Sequence, residues 1–135
     1  MKILLDTSAM VEFLLDQPRA DEVERLLQQT SLEELCLTVF ALDSIGVLFM
    51  RHKMFNEFVE FVDDWLIEGG MNHIALQPDD MRRVTEIVQQ FNLDFDDAYQ
   101  YVTAEKHNLI LVSFDAHFDK TPRGRKTPAD LLRSP

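Results

Sequence analysis

Residues 2–15 read KILLDTSAMVEFLL, and the change of pattern inside this stretch decides the fold. KILLD is a short apolar run ending in an aspartate, the pattern of a parallel strand buried on both faces whose carboxyl end opens into a site. Asp6 then lies at the strand tip. Thr7 or Ser8 is placed to cap a helix through AMVEFLL. The same unit recurs at 109–115, LILVSFD, another apolar strand that delivers an aspartate, Asp115, at its end.

Working outward, Pro18 opens a second helix over ADEVERLLQQ, residues 20–29, in which Val23, Leu26 and Leu27 share a face. Residues 35–39 read as a second strand, and ALDSIGVLFMRHK, 41–53, as a helix with a basic end that favours the helix dipole and Asp43 in its first turn. MFNEFVEFVDDWLIE, 54–68, places Phe55, Phe58, Val59, Val62, Trp65 and Leu66 on one helical face, acids on the other, and stops at Gly69 and Gly70.

Residues 73–76 make a third strand. Pro78 and Asp79 start a helix through MRRVTEIVQQF, 81–91, and a turn at Asn92 leads through Leu93 to the helix DDAYQYVTAEKH, 96–107. GRKTP, 124–128, adds a short edge strand. Strands alternating with helices predict an α/β fold, a mostly parallel sheet with helices on both faces.

The 135 residues, 46% hydrophobic, suit one domain spanning 1–135 with a sizeable core. The 4 glycines and 5 prolines are scattered, so no linker, repeat or low-complexity segment breaks the chain. No apolar run approaches the ~20 residues of a membrane span, and MKILLD carries no signal segment, which makes the cytoplasm the expected compartment. Cys36 is a lone cysteine in ELCLTV, which excludes an internal disulfide and a cysteine-based zinc cluster and reads as core. His52, His73, His107 and His117 lack paired metal spacing and are expected to be solvated, with no chemistry assigned.

In open α/β sheets the binding crevice lies outside the carboxyl ends of the strands, where this reading puts Asp6 and Asp115. Asp97 near the start of one helix and Asp43 in the first turn of another can face the same crevice. Four carboxylates on one pocket suit Mg²⁺ or Mn²⁺, hard cations that take oxygen ligands and activate water for phosphodiester hydrolysis. One ion, or two about 3.5–4 Å apart, would serve equally. Asp94, Asp96 and Asp119 read as caps or solvated acids, and Glu12 as a helix-surface residue.

The formal net charge of −11, from 13 Lys and Arg against 24 Asp and Glu, runs against binding a nucleic acid by bulk electrostatics. Part of the excess is accounted for by a cation-binding pocket, and the rest by solvated surface or a face for a basic partner. Arg51, His52 and Lys53, the pair Arg82 and Arg83, and Arg123, Arg125 and Lys126 are the basic clusters able to track a phosphate backbone.

Other strand-first folds fit poorly. A phosphotransferase of the haloacid dehalogenase type needs a second aspartate two residues after the first, where Ser8 stands. A receiver domain needs an acidic pair before its phosphoacceptor. A nucleotide-binding domain needs a glycine-rich loop, and DTSAMV contains no glycine.

ILLDTSAMVEFL resembles the first motif of the PIN-domain family, an apolar strand followed by Asp-Thr/Ser-Ser/Asn and a helix. DDAYQYVTAEKHNLILVSFDAHF is similar to the family's C-terminal signature, with Asp97-Ala98, Thr103-Ala104, and Ser113 through Phe118 in its places. LTVFALDSIGVLFMR resembles the segment carrying the family's second acid, usually glutamate; Asp43 stands there, one methylene shorter, reaching a metal through water or by a helix shift.

The resemblance implies a PIN-like three-layer α/β/α sandwich, with Asp6, Asp43, Asp97 and Asp115 as catalytic metal ligands for Mg²⁺ or Mn²⁺ and Thr7 and Ser113 as supporting hydroxyls. Arg51, Lys53, Arg123, Arg125 and Lys126 are the expected RNA contacts. It further implies a metal-dependent endoribonuclease of VapC type, the toxin of a toxin–antitoxin pair, restrained by a small antitoxin and assembled as a homodimer. The alternative is a catalytically weak PIN-like binding or scaffold module. The helices at 10–15, 23–27 and 54–66 carry apolar side chains enough for a dimer seam or an antitoxin groove.

Overall fold

The computed structural model describes residues 2–132. Four strands, β1 (Ile3–Leu5), β2 (Leu35–Thr38), β3 (Asn72–Ile74) and β4 (Ile110–Val112), form one sheet in the order β3-β2-β1-β4. Every pairing is parallel. Parallel neighbours require crossovers, and the helices supply them: α1 (Thr7–Leu14) and α2 (Ala20–Gln29) between β1 and β2, α3 (Val39–Arg51) and α4 (Phe55–Phe61) between β2 and β3, α5 (Met81–Phe91) and α6 (Phe95–His107) between β3 and β4. A last short helix, α7 (Pro128–Leu131), packs back on α2.

The period of two along each strand divides the core into two layers. Ile3, Leu5, Leu35, Leu37 and Val112 point into one, against Met10 of α1, Val23, Leu26 and Leu27 of α2, and Ala41, Ile45 and Phe49 of α3. Leu4, Cys36 and Leu111 point into the other, against Val84 and Ile87 of α5 and Ala98, Tyr101 and Val102 of α6. The result is the expected three-layer α/β/α sandwich. Val23, Leu26 and Leu27 are therefore core rather than a surface seam. Cys36 is buried, as its sequence context implied.

Several boundaries differ from the sequence reading. The segment 54–68 is not one α-helix: after Phe61 it widens into a π-helix over Val62–Glu68. Gly69 closes that segment because a Cβ there would lie 2.7 Å from the carbonyl oxygens of Asp64 and Trp65. The third strand is Asn72–Ile74, shifted toward the chain start relative to 73–76. Residues 124–128 form no full strand but a single parallel bridge, Lys126 to Val112, held by Lys126 N–H to Leu111 O at 2.8 Å and Ser113 N–H to Lys126 O at 3.0 Å. Asn92 and Asn108 close α5 and α6 in the left-handed region, at φ 52° in both cases, which asparagine tolerates.

Short connections position the site. β1 passes into α1 through Asp6 alone, and β2 passes into α3 with no intervening residue. Both helices thus start at the carboxyl edge of the sheet. α6 runs back toward β4, so its first turn reaches that same edge.

Candidate metal centre

Asp6 occupies the N-cap position of α1, but its carboxylate makes no cap hydrogen bond. It is turned into the sheet edge instead, 6% exposed, and held there by three side chains. Oδ2 accepts from Ser8 Oγ at 3.0 Å and Ser113 Oγ at 2.7 Å, and Oδ1 accepts from Gln100 Nε2 at 3.2 Å. Gln100, buried on α6, is oriented by Thr38 Oγ1, which donates to its Oε1 at 2.7 Å and accepts from Ala41 N–H at 2.9 Å at the start of α3. Every hydrogen bond to the Asp6 side chain comes from a donor, as a carboxylate's acceptor oxygens require.

Ser113 links Asp6 to the next acid, since its Oγ also accepts from the Asp115 N–H at 2.9 Å. Asp115 caps the short 3₁₀ segment Ala116–Lys120 by accepting from the His117 N–H at 2.8 Å. Asp97 comes from the first turn of α6. Its pKa is raised to about 6, first by burial and then by the negative charges of Asp115 and Asp6, with His117 acting in the opposite direction. His117 Nδ1 lies 3.5 Å from Asp97 Oδ2 and 3.2 Å from Asp115 Oδ1.

A crevice of about 180 Å³ is lined by Asp6, Thr7, Ser8, Phe40, Ser44, Asp96, Asp97, Gln100 and Asp115, with His117 outside this lining but beside Asp97 and Asp115. Three of the four acids singled out from the sequence, Asp6, Asp97 and Asp115, are brought together there. Asp43 is not. Successive helical residues are about 100° apart, and α3 presents Phe40 and Ser44, one turn apart, to the crevice, leaving Asp43 exposed on the adjoining flank. Thr7 lines the crevice, whereas Ser8 and Ser113 are the hydroxyls that hold Asp6.

Sequence reasoning passed over Ser8, Gln100, Ser44 and His117. Gln100 and Ser44 were legible as positions one helical turn beyond Asp96 and Phe40. His117 stands two residues after Asp115, a spacing the sequence reading did not use, while its other partner Asp97 lies in another element.

None of the basic residues proposed as RNA contacts lines this crevice. Arg51 ends α3, a helix of 13 residues, and so lies about 20 Å along its axis from the crevice end, with Lys53 just beyond. Arg123 is bound to Asn108 Oδ1 and Leu109 O, beside a separate cavity of about 250 Å³ that Arg125 and Lys126 also border. Arg125 is paired with Asp119 and donates to Ser113 O. Arg19, which was not singled out, stacks on Phe114 at 3.8 Å, between Ser113 and Asp115 in the chain.

Four carboxylates line the crevice, Asp6, Asp97 and Asp115 together with the exposed Asp96, which the sequence had suggested as a cap or solvated acid; with no lysine or arginine in the lining among the described residues, they form a donor set for a divalent cation of the Mg²⁺ or Mn²⁺ kind. The upward displacement of Asp97 comes first from burial and then from the negative charge that Asp115 and Asp6 concentrate around it.

Comparison with known proteins places this geometry. A toxin–antitoxin complex from Klebsiella pneumoniae is similar with TM-score 0.74 and 21% identity, over 94% of this chain and 98% of that one. FitAcB from Neisseria gonorrhoeae gives 0.73 and 22%, over 96% and 99%. VapC20 of Mycobacterium tuberculosis, a sarcin–ricin loop cleaving toxin, gives 0.72 and 17%, over 84% and 90%. No curated protein matches the chain by sequence. The family model of the PIN domain matches residues 3–124, nearly the whole of the sandwich with Asp6, Asp97 and Asp115 included, and the chain belongs to the PIN domain family.

Proposed function

We propose that this chain is a metal-dependent endoribonuclease, the toxin of a toxin–antitoxin pair, with Asp6, Asp97 and Asp115 holding Mg²⁺ or Mn²⁺. The observation that carries the reading is the convergence of these three acids on one crevice in a PIN domain. The neighbours supply the substrate and partner classes: one cleaves the sarcin–ricin loop, and another is a toxin–antitoxin complex. Asp43 stands outside the proposed ligand set.

An ion bound there supplies charge neutralisation at a phosphodiester and activation of an attacking water. The chain's own residues hold the site ready. Ser8, Ser113 and Gln100 fix the Asp6 carboxylate at the edge of the crevice. Burial of Asp97 keeps bulk water from screening the charges around it. Ser113 and the short 3₁₀ segment lock Asp115 in register with Asp6.

The antitoxin reading draws on a second surface. Phe13, Leu14, Phe61 and Trp65 floor a cleft rimmed by Glu57, Glu60 and Asp64, a combination suited to a basic amphipathic segment. Val47, Met50, Phe55 and Val59 are exposed on α3 and α4 and are the surface we propose for a homodimer.

The test is cleavage of single-stranded and structured RNA by purified chain, free of partner. Mn²⁺ or Mg²⁺ should permit cutting and EDTA should stop it. If no RNA is cut with either metal, the second reading gains, a PIN-like binding module, which the absence of basic residues from the crevice lining favours.

A further inference from the structure

The α3 wall of the crevice offers an ion no carboxylate. The α3 wall contributes Phe40 and Ser44, and the Ser44 hydroxyl is turned back to Phe40 O at 2.9 Å. Asp6 has three of its lone-pair positions taken by Gln100, Ser8 and Ser113. Asp97 and Asp115 are the freer acids, and the group nearest both is the imidazole of His117.

We propose that His117 is itself a ligand of the divalent ion, through Nδ1, and that it shifts the preference of the site from Mg²⁺ toward Mn²⁺. The proposal rests on the metal-centre reading given above. Its geometry is that of a coordination shell rather than a chance approach. Neighbouring donors around an octahedral ion with bonds of about 2.1–2.2 Å sit about 3.0 Å apart. His117 Nδ1 lies 3.2 Å from Asp115 Oδ1 and 3.5 Å from Asp97 Oδ2, and one ligand atom from each of the three residues falls within 4.8 Å of the others.

The backbone fixes where this imidazole starts. The His117 N–H is bound to Asp115 Oδ1 at 2.8 Å, and the Asp115 N–H is bound to Ser113 Oγ at 2.9 Å. The chain between the two ligands is therefore a closed turn seated on the residue that holds Asp6. A side chain 65% exposed at that position has no packing reason to lie over two acids.

Imidazole nitrogen is a softer donor than carboxylate and suits Mn²⁺ and the later transition metals better than Mg²⁺, which prefers oxygen and retains its waters. The same contacts arise if His117 is merely a counter-charge for the two acids. In that case a bound metal displaces it, and the two accounts separate.

Untagged protein loaded with one equivalent of Mn²⁺ is examined by electron spin-echo envelope modulation, beside calorimetric titrations of Mn²⁺ and Mg²⁺. The wild type should show imidazole ¹⁴N modulation, which His117→Gln and His117→Ala lose. Both variants should bind Mn²⁺ about tenfold or more weaker while their Mg²⁺ affinity falls by a much smaller factor. Absence of ¹⁴N modulation in the Mn²⁺-loaded wild type, or equal losses for the two metals, overturns the proposal. If Mn²⁺ still binds and Asp97→Asn abolishes it, that result removes His117 alone from the site. A wild type that binds no Mn²⁺, or an Asp97→Asn variant that binds as well as wild type, removes the metal-centre reading with it.

Discussion

At Asp97, burial and two neighbouring carboxylates act together, and the pKa of about 6 gives this side chain a testable signature. The folded pKa is above the ordinary carboxylate value of 3.8, so between about pH 4 and 6 the folded protein binds the proton more strongly than the unfolded chain does. The group's contribution to stability is full below that window and is lost as pH rises through it. Asp80, Glu105 and Asp130 are displaced downward by their hydrogen-bond partners and act in the opposite sense at lower pH, so a variant comparison is needed to isolate Asp97. In metal-free buffer, the melting temperature of Asp97→Asn relative to wild type should increase from pH 4 to pH 7. Mn²⁺ at pH 7 should raise the melting temperature of wild type and leave that of the variant unmoved. Equal pH profiles, or equal metal stabilisation, would count against a charge-strained site.

Residue roles were legible unevenly. Asp6 and Asp115 could be read because an apolar run that ends in an acid marks a strand tip, and strand tips of a parallel sheet share one edge. Asp97 required the further step that α6 runs back to that edge. The seat of Asp6 was hidden, because Gln100 and Ser113 stand 94 and 107 residues from it along the chain and no local pattern joins them.

Elements explain the difference between Asp43 and Ser44. The sequence placed a helix here and placed an acid in its early turns. Apolar spacing did not fix where the helix began. α3 starts at Val39, directly on the end of β2, with Thr38 as its cap. From that start the crevice face falls on Phe40 and Ser44, and Asp43 turns away. Two substitutions exploit this phase. Ser44→Glu should put a further carboxylate in the crevice and strengthen Mn²⁺ binding in calorimetry by about tenfold, the scale of about 1.4 kcal/mol. Asp43→Asn should leave it unchanged. The reverse pattern would mean that α3 turns in solution to present Asp43.

The α3–α4 contact makes a separate prediction. A Cβ at Gly46 would meet the Phe58 ring at 3.1 Å, so the two helices approach because that side chain is missing. Gly46→Leu should cost about 1–3 kcal/mol in denaturant unfolding, and a smaller partner at position 58, as in Gly46→Leu with Phe58→Ala, should recover part of it. A neutral Gly46→Leu would contradict the packing described.

For the whole molecule, the α/β/α layering was readable from strand alternation, while the sheet order and the π-helix after Phe61 were not, since both depend on contacts between distant segments. The charge of −11 bears on how RNA is held. The crevice lining has no lysine or arginine, and Arg123 and Arg125 are bound to internal partners. Few phosphates can then be neutralised on binding, and the slope of log affinity against log salt should be shallower than about −3. A steep slope, measured with the Asp97→Asn protein, would require a basic track elsewhere on the surface. Among the described residues no helix is long and apolar enough to cross a membrane.

The central claim is that the crevice acids, and not the exposed acid beside them, cut RNA with a divalent ion. The most direct measurement is the rate of RNA cleavage in Mn²⁺ by wild type, Asp97→Asn and Asp43→Asn proteins prepared alike. Wild type and Asp43→Asn should cut at similar rates, and Asp97→Asn should be slower by about a hundredfold or more. Asp97→Asn protein that cuts as fast as wild type would contradict the account.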